Sequence, residues 1–356
     1  MSGTSAGRMA ATAARLAAAR LAAACLTAVS LTTALSLVTA SDAAAGDVGY
    51  VTSQEAGSLS FVDLDSMTVE KTIAVPGKPA GIAVSRDGTR AYVSQPESRQ
   101  IAIVDTVKQE VIGEVKVGGG PLGIAVHPSG SPVYVADWYS HSLLLVDPEK
   151  RAVVGTFETG QSPSGIAVSD DGSVVVTADR DSNQLSFFAA KTGEVIARVV
   201  VGERPFGVSF SEDGTRVYAA NVGSNSVSVV DARGHFVIRT VPVGSHPYDA
   251  VETKGKVFVT DQYGGTVTVF DPEDGERLAQ LDCCDYPEGI ATGSDGRFVY
   301  VANWFANTLV KLDAATLEEI ASVDVPDGPR AFGEFVRAAP TVGSEAGAGA
   351  GTGAAK

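Results

Sequence analysis

The sequence has few of the residues that proteins most often use for metal binding and nucleophilic catalysis. Its 356 residues include four histidines and three cysteines, with no HxH or HExxH pair of the kind that binds zinc. It also has no GxSxG nucleophile motif, no DxDxDG calcium loop, no phosphate-binding loop and no CxxCH haem-attachment motif. The sequence therefore predicts no metal site and identifies neither a catalytic residue nor a cofactor.

Positive charge is also scarce. The chain has 27 lysines and arginines against 42 aspartates and glutamates, giving a net charge of −15, and it contains no basic run. Nucleic-acid binding depends on clustered Lys and Arg, and anionic membranes attract the same residues. We therefore expect neither of them as a partner of the mature chain. The acidic surface favours solubility, and we expect a monomer.

The two ends of the chain differ in composition from the rest. No acidic residue occurs before Asp42, three arginines occur within the first 20 residues, and an apolar stretch runs from Leu21 to Ala40. Ala43–Ala45 fits the cleavage pattern of an export signal, so residues 1–45 are predicted to be a signal peptide. An uncleaved anchor is the alternative, because about twenty apolar residues can span a bilayer. Residues 339–356 are rich in Gly and Ala and are predicted to be disordered.

Between these ends a repeat takes the place of long helical patterns. A Pro-x-Gly motif or a close variant recurs at intervals of 42 residues, with one interval of 40, at Pro79, Pro121, Pro163, Pro205, Pro247, Pro287 and Pro329. Each unit is predicted to form four short strands, beginning with a GIAV-like strand. Turns such as Glu212-Asp213-Gly214 then lead to a VYVAN-like second strand.

The strand sequences favour a propeller over a sandwich. GIAV and FVYVA are apolar on both faces, as expected for sheets that are covered on both sides, and a four-stranded unit of this length suits a propeller blade. Residues 79–328 contain six units, residues 48–75 lack a first strand, and residues 329–336 supply one. We therefore predict an all-β, seven-bladed β-propeller over residues 46–338. The C-terminal strand would pair with the N-terminal blade and close the ring.

The repeat motifs are similar to those of a known family. Units with VYVAN, preceded by PxGIAVSxDG and followed by SVSVVD, resemble the YVTN-repeat β-propellers over about residues 46–337. The resemblance implies an exported or surface-associated protein, secreted, periplasmic or bound at the cell surface. Many members have no assigned activity. Related seven-bladed propellers include scaffolding subunits of quinoprotein amine dehydrogenases and some lactonases and lyases.

One rim of the ring is the predicted binding surface. The loops before each first strand and after each second strand should emerge there together, and loops on a rigid frame commonly bind ligands. We expect a polar and aromatic cup near blades 5 to 7 and 1. The candidate residues are Asp137, Trp138, Asp179, Arg180, Arg204, His246, Tyr248, Asp249, Asp261, Tyr263, Tyr286, Glu288, Asn303, Trp304 and Arg330. Alternatively, the Asp and Asn side chains cap turns, and the tryptophans cover the tops of the blades.

The adjacent Cys283 and Cys284 precede the last complete unit. In an exported protein two thiols seldom stay free, so we predict a disulfide between them. It would be strained, because neighbouring Cα atoms are about 3.8 Å apart and disulfides usually need about 4.4–6.8 Å. Free or intermolecular thiols, or a copper(I) site, are the alternatives.

Two functions follow from these observations. The first is an exported, non-catalytic module that binds a small molecule, a peptide or a protein at the rim. The second is an enzyme or enzyme subunit, either of the lyase or lactonase type or a propeller scaffold of a quinoprotein dehydrogenase. The second needs acids such as Asp249, Glu288 or Asp261 to converge with His246 within hydrogen-bonding distance.

Overall fold

The computed structural model describes residues 46–340, so the predicted signal peptide and most of the predicted tail lie outside the described residues. Residues 46–340 form 29 strands and one short 3₁₀ turn at Arg180–Ser182. None of their helical segments is long and apolar enough to cross a membrane. Short apolar runs rich in valine and other strand-forming residues, separated by turn residues, account for this all-β structure.

The first four blades follow the repeat in chain order. Blade 1 contains β1 (Asp47–Ser53), β2 (Ser58–Asp63) and β3 (Thr68–Ala74). Blade 2 contains β4 (Gly81–Val84), β5 (Arg90–Gln95), β6 (Gln100–Asp105) and β7 (Glu110–Lys116). Blade 3 contains β8 (Pro121–Val126), β9 (Val133–Asp137), β10 (Ser142–Asp147) and β11 (Ala152–Glu158). Blade 4 contains β12 (Pro163–Val168), β13 (Val174–Asp179), β14 (Gln184–Ala189) and β15 (Val195–Val200).

The last three blades and two short strands complete the ring. Blade 5 contains β16 (Pro205–Phe210), β17 (Arg216–Asn221), β18 (Ser226–Asp231) and β19 (Phe236–Pro242). Blade 6 contains β20 (Pro247–Thr253), β21 (Lys256–Asp261), β22 (Thr266–Phe270) and β23 (Arg277–Leu281). Blade 7 contains β24 (Pro287–Thr292), β25 (Phe298–Asn303), β26 (Thr308–Asp313) and β27 (Glu319–Asp324). The chain continues into β28 (Phe332–Glu334) and β29 (Val336–Ala338).

The C-terminal segment closes the ring, as predicted, but with a different strand pattern. Pro329 bridges Ser53, and β29 pairs antiparallel with β1, with Val336 opposite Gly49. Three more residues lie between these contacts on the C-terminal side than on β1. The extra length forms β28, which pairs in parallel with β4 of blade 2. The predicted single strand over residues 329–336 is therefore two short strands that join blade 1 to blade 2.

Burial follows the position of each strand within its blade. The first three strands of a blade are mostly buried, whereas fourth strands such as β3 consist mainly of exposed and half-buried positions. Apolar clusters fill the spaces between blades, and the largest contains residues from blades 7, 1 and 2. Burial on both faces accounts for the continuous apolar runs that the sequence shows.

The glycine of Pro-x-Gly has a packing role around the central channel. A Cβ atom at Gly123 would lie 1.9 Å from the carbonyl oxygen of Ser164 in the next blade, and one at Gly289 would lie 2.1 Å from that of Ala331. Real Cβ atoms do not approach so closely, so only glycine fits at these two positions. The motif therefore marks the places where neighbouring first strands approach one another along the channel.

Candidate functional site

Two loops of each blade meet at one rim, as the repeat predicts. In six blades, the amide of the residue after the second strand donates to the carbonyl of the residue before the motif proline, as from Gln262 to His246 at 3.0 Å. The residue before the proline has a positive φ at Lys78, Ser162, Arg204, His246 and Tyr286. This conformation is uncommon for non-glycine residues. Because it recurs in five blades, the backbone starts these side chains in the same direction in each of them.

A cavity of about 520 Å³ opens on this rim. We call it the rim cup. Its lining consists of Gln54, Arg180, Arg204, Phe206, Val222, Gly223, His246, Tyr248, Gln262, Tyr263, Tyr286, Glu288, Trp304, Phe305 and Arg330. The cup thus lies mainly over blades 5 to 7 and 1, and nine of the residues that the sequence singles out contribute to it.

The base of the cup is a hydrogen-bonded group of polar side chains. Tyr248, Glu288 and Arg330 follow the motif proline in three consecutive blades, so they converge on the ring axis. Arg330 Nε donates to the Tyr248 hydroxyl at 2.8 Å and lies 3.2 Å from Glu288 Oε2. Gln262 Nε2 donates to Glu288 Oε1 at 2.7 Å, and Arg330 Nη1 donates to Gln54 Oε1 at 3.2 Å. These contacts fix the guanidinium in one orientation.

Burial and mutual charge perturb the titration of this group. Burial raises the pKa of the Glu288 carboxyl, and the Arg330 charge opposes that rise. Burial also raises the pKa of the Tyr248 hydroxyl well above its usual value. Burial disfavours the charge of Arg330, but Glu288, Tyr248 and Tyr286 together outweigh this effect and raise the pKa of the guanidinium. The base therefore keeps a cation and a neutral phenol over the physiological pH range.

Aromatic rings form one wall of the cup. His246 stacks on Tyr263, with ring centres 3.8 Å apart. Tyr263 stacks on Tyr286 at 5.4 Å, and Tyr286 packs against Phe305 at 4.6 Å. The side chains of Tyr263 and Phe305 are 58% and 62% exposed. Such exposed, partly stacked rings offer flat apolar surface to a ligand.

The cup is lined by more positive than negative side chains, whereas the whole chain has a net charge of −15. Arg180, Arg204 and Arg330 line it together with one carboxylate, that of Glu288. Arg180 is paired with Asp181 at 2.7 Å and lies 5.4 Å from the Trp138 ring centre. The Arg204 side chain has no hydrogen-bond or ion-pair partner within residues 46–340. The cup thus has a local excess of positive charge.

The acidic and amide side chains at the ends of second strands lie outside the cup. Asp137 Oδ1 accepts from the Gly120 amide at 2.8 Å, and Asp179 Oδ2 accepts from the Gly160 amide at 2.9 Å. Asp261 Oδ2 accepts from the Thr268 hydroxyl at 2.6 Å, and Asn303 Nδ2 donates to the Thr308 hydroxyl at 3.3 Å. All four are buried. The contacts of Asp137 and Asp179 with backbone amides agree with the turn-capping alternative, whereas Asp261 and Asn303 contact threonine hydroxyls on the adjacent third strands.

Trp138 and Asp249 do not line the cup. Trp138 is half-buried and packs against an aromatic layer formed by Phe206, Tyr248 and Phe332. Asp249 is buried and lines the channel on the other side of that layer. Tyr248 lines the cup, whereas Asp249, the next residue, lines the channel; the register of this strand is irregular between Pro247 and Ala250.

Cys283 and Cys284 both carry free thiols in the structure and are half-buried. Their side chains pack against the apolar cluster between blades 6 and 7. A hydrogen bond with Cys283, together with burial, raises the pKa of the Cys284 thiol. The disulfide between them stays a prediction.

Several cup residues are missing from the sequence-based set. Gln262, Gln54 and Val222 occupy the position directly after the second strand, equivalent to Trp138 and Arg180. The predicted set contains Tyr263, one position later, and lacks Gln262, the residue that binds Glu288. Aligning the seven repeats would have identified these residues, because they occupy the same position as Arg180 and Trp304, which the predicted set contains. The exposed Phe305 has no equivalent aromatic residue in most repeats, which is a second signal.

Comparisons with known proteins agree with the architecture. The model of the YNCE-like β-propeller family matches residues 32–129, and that of the choice-of-anchor I domain matches residues 123–318. No protein with curated function matches the sequence.

Solved structures share the fold at low sequence identity. Hydrazine synthase of Kuenenia stuttgartiensis is 23% identical, with a TM-score of 0.66, over 72% of this chain and 89% of that chain. A functionally unknown protein from Desulfotomaculum acetoxidans is 15% identical, with a TM-score of 0.67, over 80% and 99% of the two chains. Dihydro-heme d1 dehydrogenase NirN is 14% identical, with a TM-score of 0.62, over 82% and 75%. These likenesses show the fold alone.

The second family model covers more than half of the chain, and the ring has seven four-stranded blades built from YVTN-like units. The chain therefore belongs to the choice-of-anchor I domain family and to the YVTN-type seven-bladed β-propellers.

Proposed function

We propose that this protein is an exported, non-catalytic binding module whose rim cup binds a small organic anion with a planar ring. The observation that supports the proposal best is Arg330. Its guanidinium is held at the base of the cup by Tyr248, Gln54 and Glu288, while its Nη2 makes no hydrogen bond within residues 46–340. A donor fixed in this way binds an anion without losing further side-chain freedom.

The other cup residues suit the same ligand. Arg204 lines the same cup, has no side-chain partner within residues 46–340 and adds a second cation. The stacked wall of His246, Tyr263 and Tyr286 offers faces against which a planar ring can pack. A cavity of about 520 Å³ is within the range of about 300–1,000 Å³ that small-molecule sites occupy.

Binding measurements with matched ligand pairs test this proposal. Isothermal titration with aromatic carboxylates and their neutral amides, and with uronic acids and their neutral sugars, separates charge from shape. We expect the aromatic carboxylates to bind and the amides to bind at least tenfold more weakly. Arg204→Ala should weaken binding, whereas Arg233→Ala, an exposed arginine on the opposite rim, should not. Equal binding of acids and amides would contradict the proposal, as would equal effects of the two substitutions.

The alternative is an enzyme or an enzyme subunit. It is favoured by Glu288, a buried carboxyl with a raised pKa in a cup that also contains His246. Against it, Asp249 and Asp261 lie outside the cup, so the acids that catalysis was expected to need do not converge there. Product analysis of the same ligands, and of lactones, after incubation with wild-type protein and Glu288→Gln separates the two functions. Turnover that depends on Glu288 would establish the enzyme and overturn the non-catalytic module.

Export is supported by the charged and apolar pattern of residues 1–45. Mass spectrometry of the protein recovered outside the cytoplasm tests it. We expect a mature chain that begins near Gly46. An intact first segment would support the membrane-anchored alternative.

A further inference from the structure

Asp249 breaks the repeat at a position that otherwise holds only glycine or alanine. It lies two residues after the motif proline, and the equivalent residue is Gly in five blades and Ala in the sixth. At Gly207, the neighbouring equivalent, an added Cβ atom would lie 2.3 Å from Asp249 Oδ1. The ring therefore accommodates a carboxyl group in blade 6 only because its neighbour lacks a side chain.

The carboxyl group of Asp249 has no charged partner. The residue is only 6% exposed, and its Oδ1 accepts a hydrogen bond from the Ala250 amide at 2.9 Å. Its Oδ2 makes no hydrogen bond within residues 46–340, and no basic side chain there forms an ion pair with it. An unpaired buried carboxylate is costly, so a ligand that supplies a positive charge would be stabilised there.

The cavity that Asp249 lines is apolar inside and acidic at its mouth. It has a volume of about 360 Å³ and extends from Asp249 to the rim opposite the cup, with walls that include Ile124, Ile166 and Val208. Acidic side chains, among them Glu212 and Asp213, surround the opening. Arg337 is the one basic residue in its lining, and that side chain is paired with Glu334.

We propose that this channel binds linear aliphatic amines, with one ammonium group at Asp249 and the alkyl chain along the Ile and Val walls. An ammonium group carries donors and no acceptor, which matches a carboxylate oxygen that has no other partner. The acidic mouth favours a second amine at the far end of the chain, so diamines should bind more tightly than monoamines. A metal ion fits less well, because no group of three His, Cys, Asp or Glu side chains within residues 46–340 could hold one.

Burial, not a neighbouring charge, determines how binding at Asp249 depends on pH. The titratable and charged groups on the strands around Asp249 are Tyr248 and Glu252 on its own strand, Glu288 on β24, Glu334 on β28 and Arg337 on β29. The residues of β16 and β21 next to Asp249 are Gly207 and Thr260, which carry no charge. Burial raises the pKa of Asp249 from 3.8 to about 7. The carboxylate that an ammonium needs is thus more populated at higher pH. Affinity should rise roughly tenfold from about pH 6 to about pH 8.

Titration calorimetry with diaminopentane, pentylamine and pentanol tests the proposal on the purified protein. We expect diaminopentane to bind more tightly than pentylamine, and pentanol not to bind. Asp249→Asn keeps the shape and removes the charge, and Asp249→Gly restores the residue of the repeat. Both should weaken amine binding at least tenfold, whereas Glu149→Gln, an exposed acid outside the channel, should not.

Circular dichroism and thermal unfolding of each variant show that it is folded, and Asp249→Gly is expected to fold because five blades carry glycine there. The proposal is overturned if no amine binds at millimolar concentration, if pentanol binds as well as pentylamine, or if the Asp249 variants bind amines like the wild type. Because aromatic anions bind on the other rim in our proposal, the Asp249 variants should keep that binding.

Discussion

Replacing Phe335 with alanine tests how the ring closes. This residue lies between β28 and β29, and its side chain is fully buried in the cluster that joins blades 7, 1 and 2. Its carbonyl accepts a hydrogen bond from the Tyr50 amide at 2.8 Å. If the C-terminal segment is a structural part of blade 1, then losing this one side chain must weaken the seam between the two ends of the chain.

The expected loss can be estimated from burial. A fully buried phenylalanine replaced by alanine costs about 3–5 kcal/mol, because both transfer free energy and packing are lost. For a domain of this size, each kcal/mol lowers the melting temperature by about 2–4 °C. We therefore expect Phe335→Ala to lower it by the order of 10 °C, which is large for a residue near the end of a chain.

Urea unfolding and differential scanning calorimetry measure this loss, and Phe236→Ala is the matched control. Phe236 lies on the outer strand β19 and is 55% exposed, so its loss should cost less than about 1 kcal/mol. Hydrogen exchange adds a local measure, since the Tyr50 amide should exchange faster in the Phe335 variant. Equal stability losses for the two variants would refute the structural role of the C-terminal segment.

Three further predictions concern the channel packing, the buried carboxyl and the cysteine pair. Gly123→Ala should cost at least about 2 kcal/mol in urea unfolding, because its Cβ would lie 1.9 Å from the Ser164 carbonyl oxygen and backbone must move. Burial raises the Asp249 pKa from 3.8 to about 7, so the folded state binds this proton more tightly than the unfolded state. Wild-type stability should therefore fall by up to about 4 kcal/mol between about pH 4 and pH 7, and Asp249→Asn should lack this loss. Mass spectrometry of the exported protein should show alkylation of Cys283 and Cys284 only after reduction.

Each of these predictions has a control or a contradicting result. Gly155→Ala places its Cβ 3.5 Å from a leucine side chain, which is ordinary contact, so it should be nearly neutral. An equal loss for Gly155 and Gly123 would contradict the packing argument. Parallel stability profiles for wild type and Asp249→Asn would show that the carboxyl titrates normally. Full alkylation without reductant would rule out the disulfide.

The sequence allowed the fold to be predicted because the scaffold repeats. Motif prolines at a nearly constant interval mark equivalent positions in every blade, so strand order and blade number follow from counting. The details of closure depend on the three extra residues opposite β1, whose pairing with β4 is a contact between distant parts of the chain. The sequence repeat does not indicate which strand the extra residues of the C-terminal segment pair with.

For the site, the repeat identified a rim and only part of its lining. Tyr248, Glu288 and Arg330 are equivalent in three blades and do line one cup, since equivalence alone places them together. Asp249 was assigned to the same surface because it is adjacent in sequence, but its side chain lines the channel, in a segment where the strand register is irregular. The stacked rings of His246 and Tyr263 depend on rotamers, which no repeat pattern specifies.

The aromatic layer of Phe206, Tyr248 and Phe332 explains how one scaffold can present two surfaces of opposite charge. These rings pack at 4.6–5.3 Å from one another and lie between the rim cup and the channel. A low-dielectric layer of this kind weakens screening, so the arginines above it and the carboxylates below it interact across it more strongly than they would through water. Tyr248 belongs to both sides, since its ring forms the layer while its hydroxyl binds Arg330. Any coupling between an anion in the cup and an amine in the channel would therefore act through this side chain, and Tyr248→Phe should remove it while leaving the layer intact.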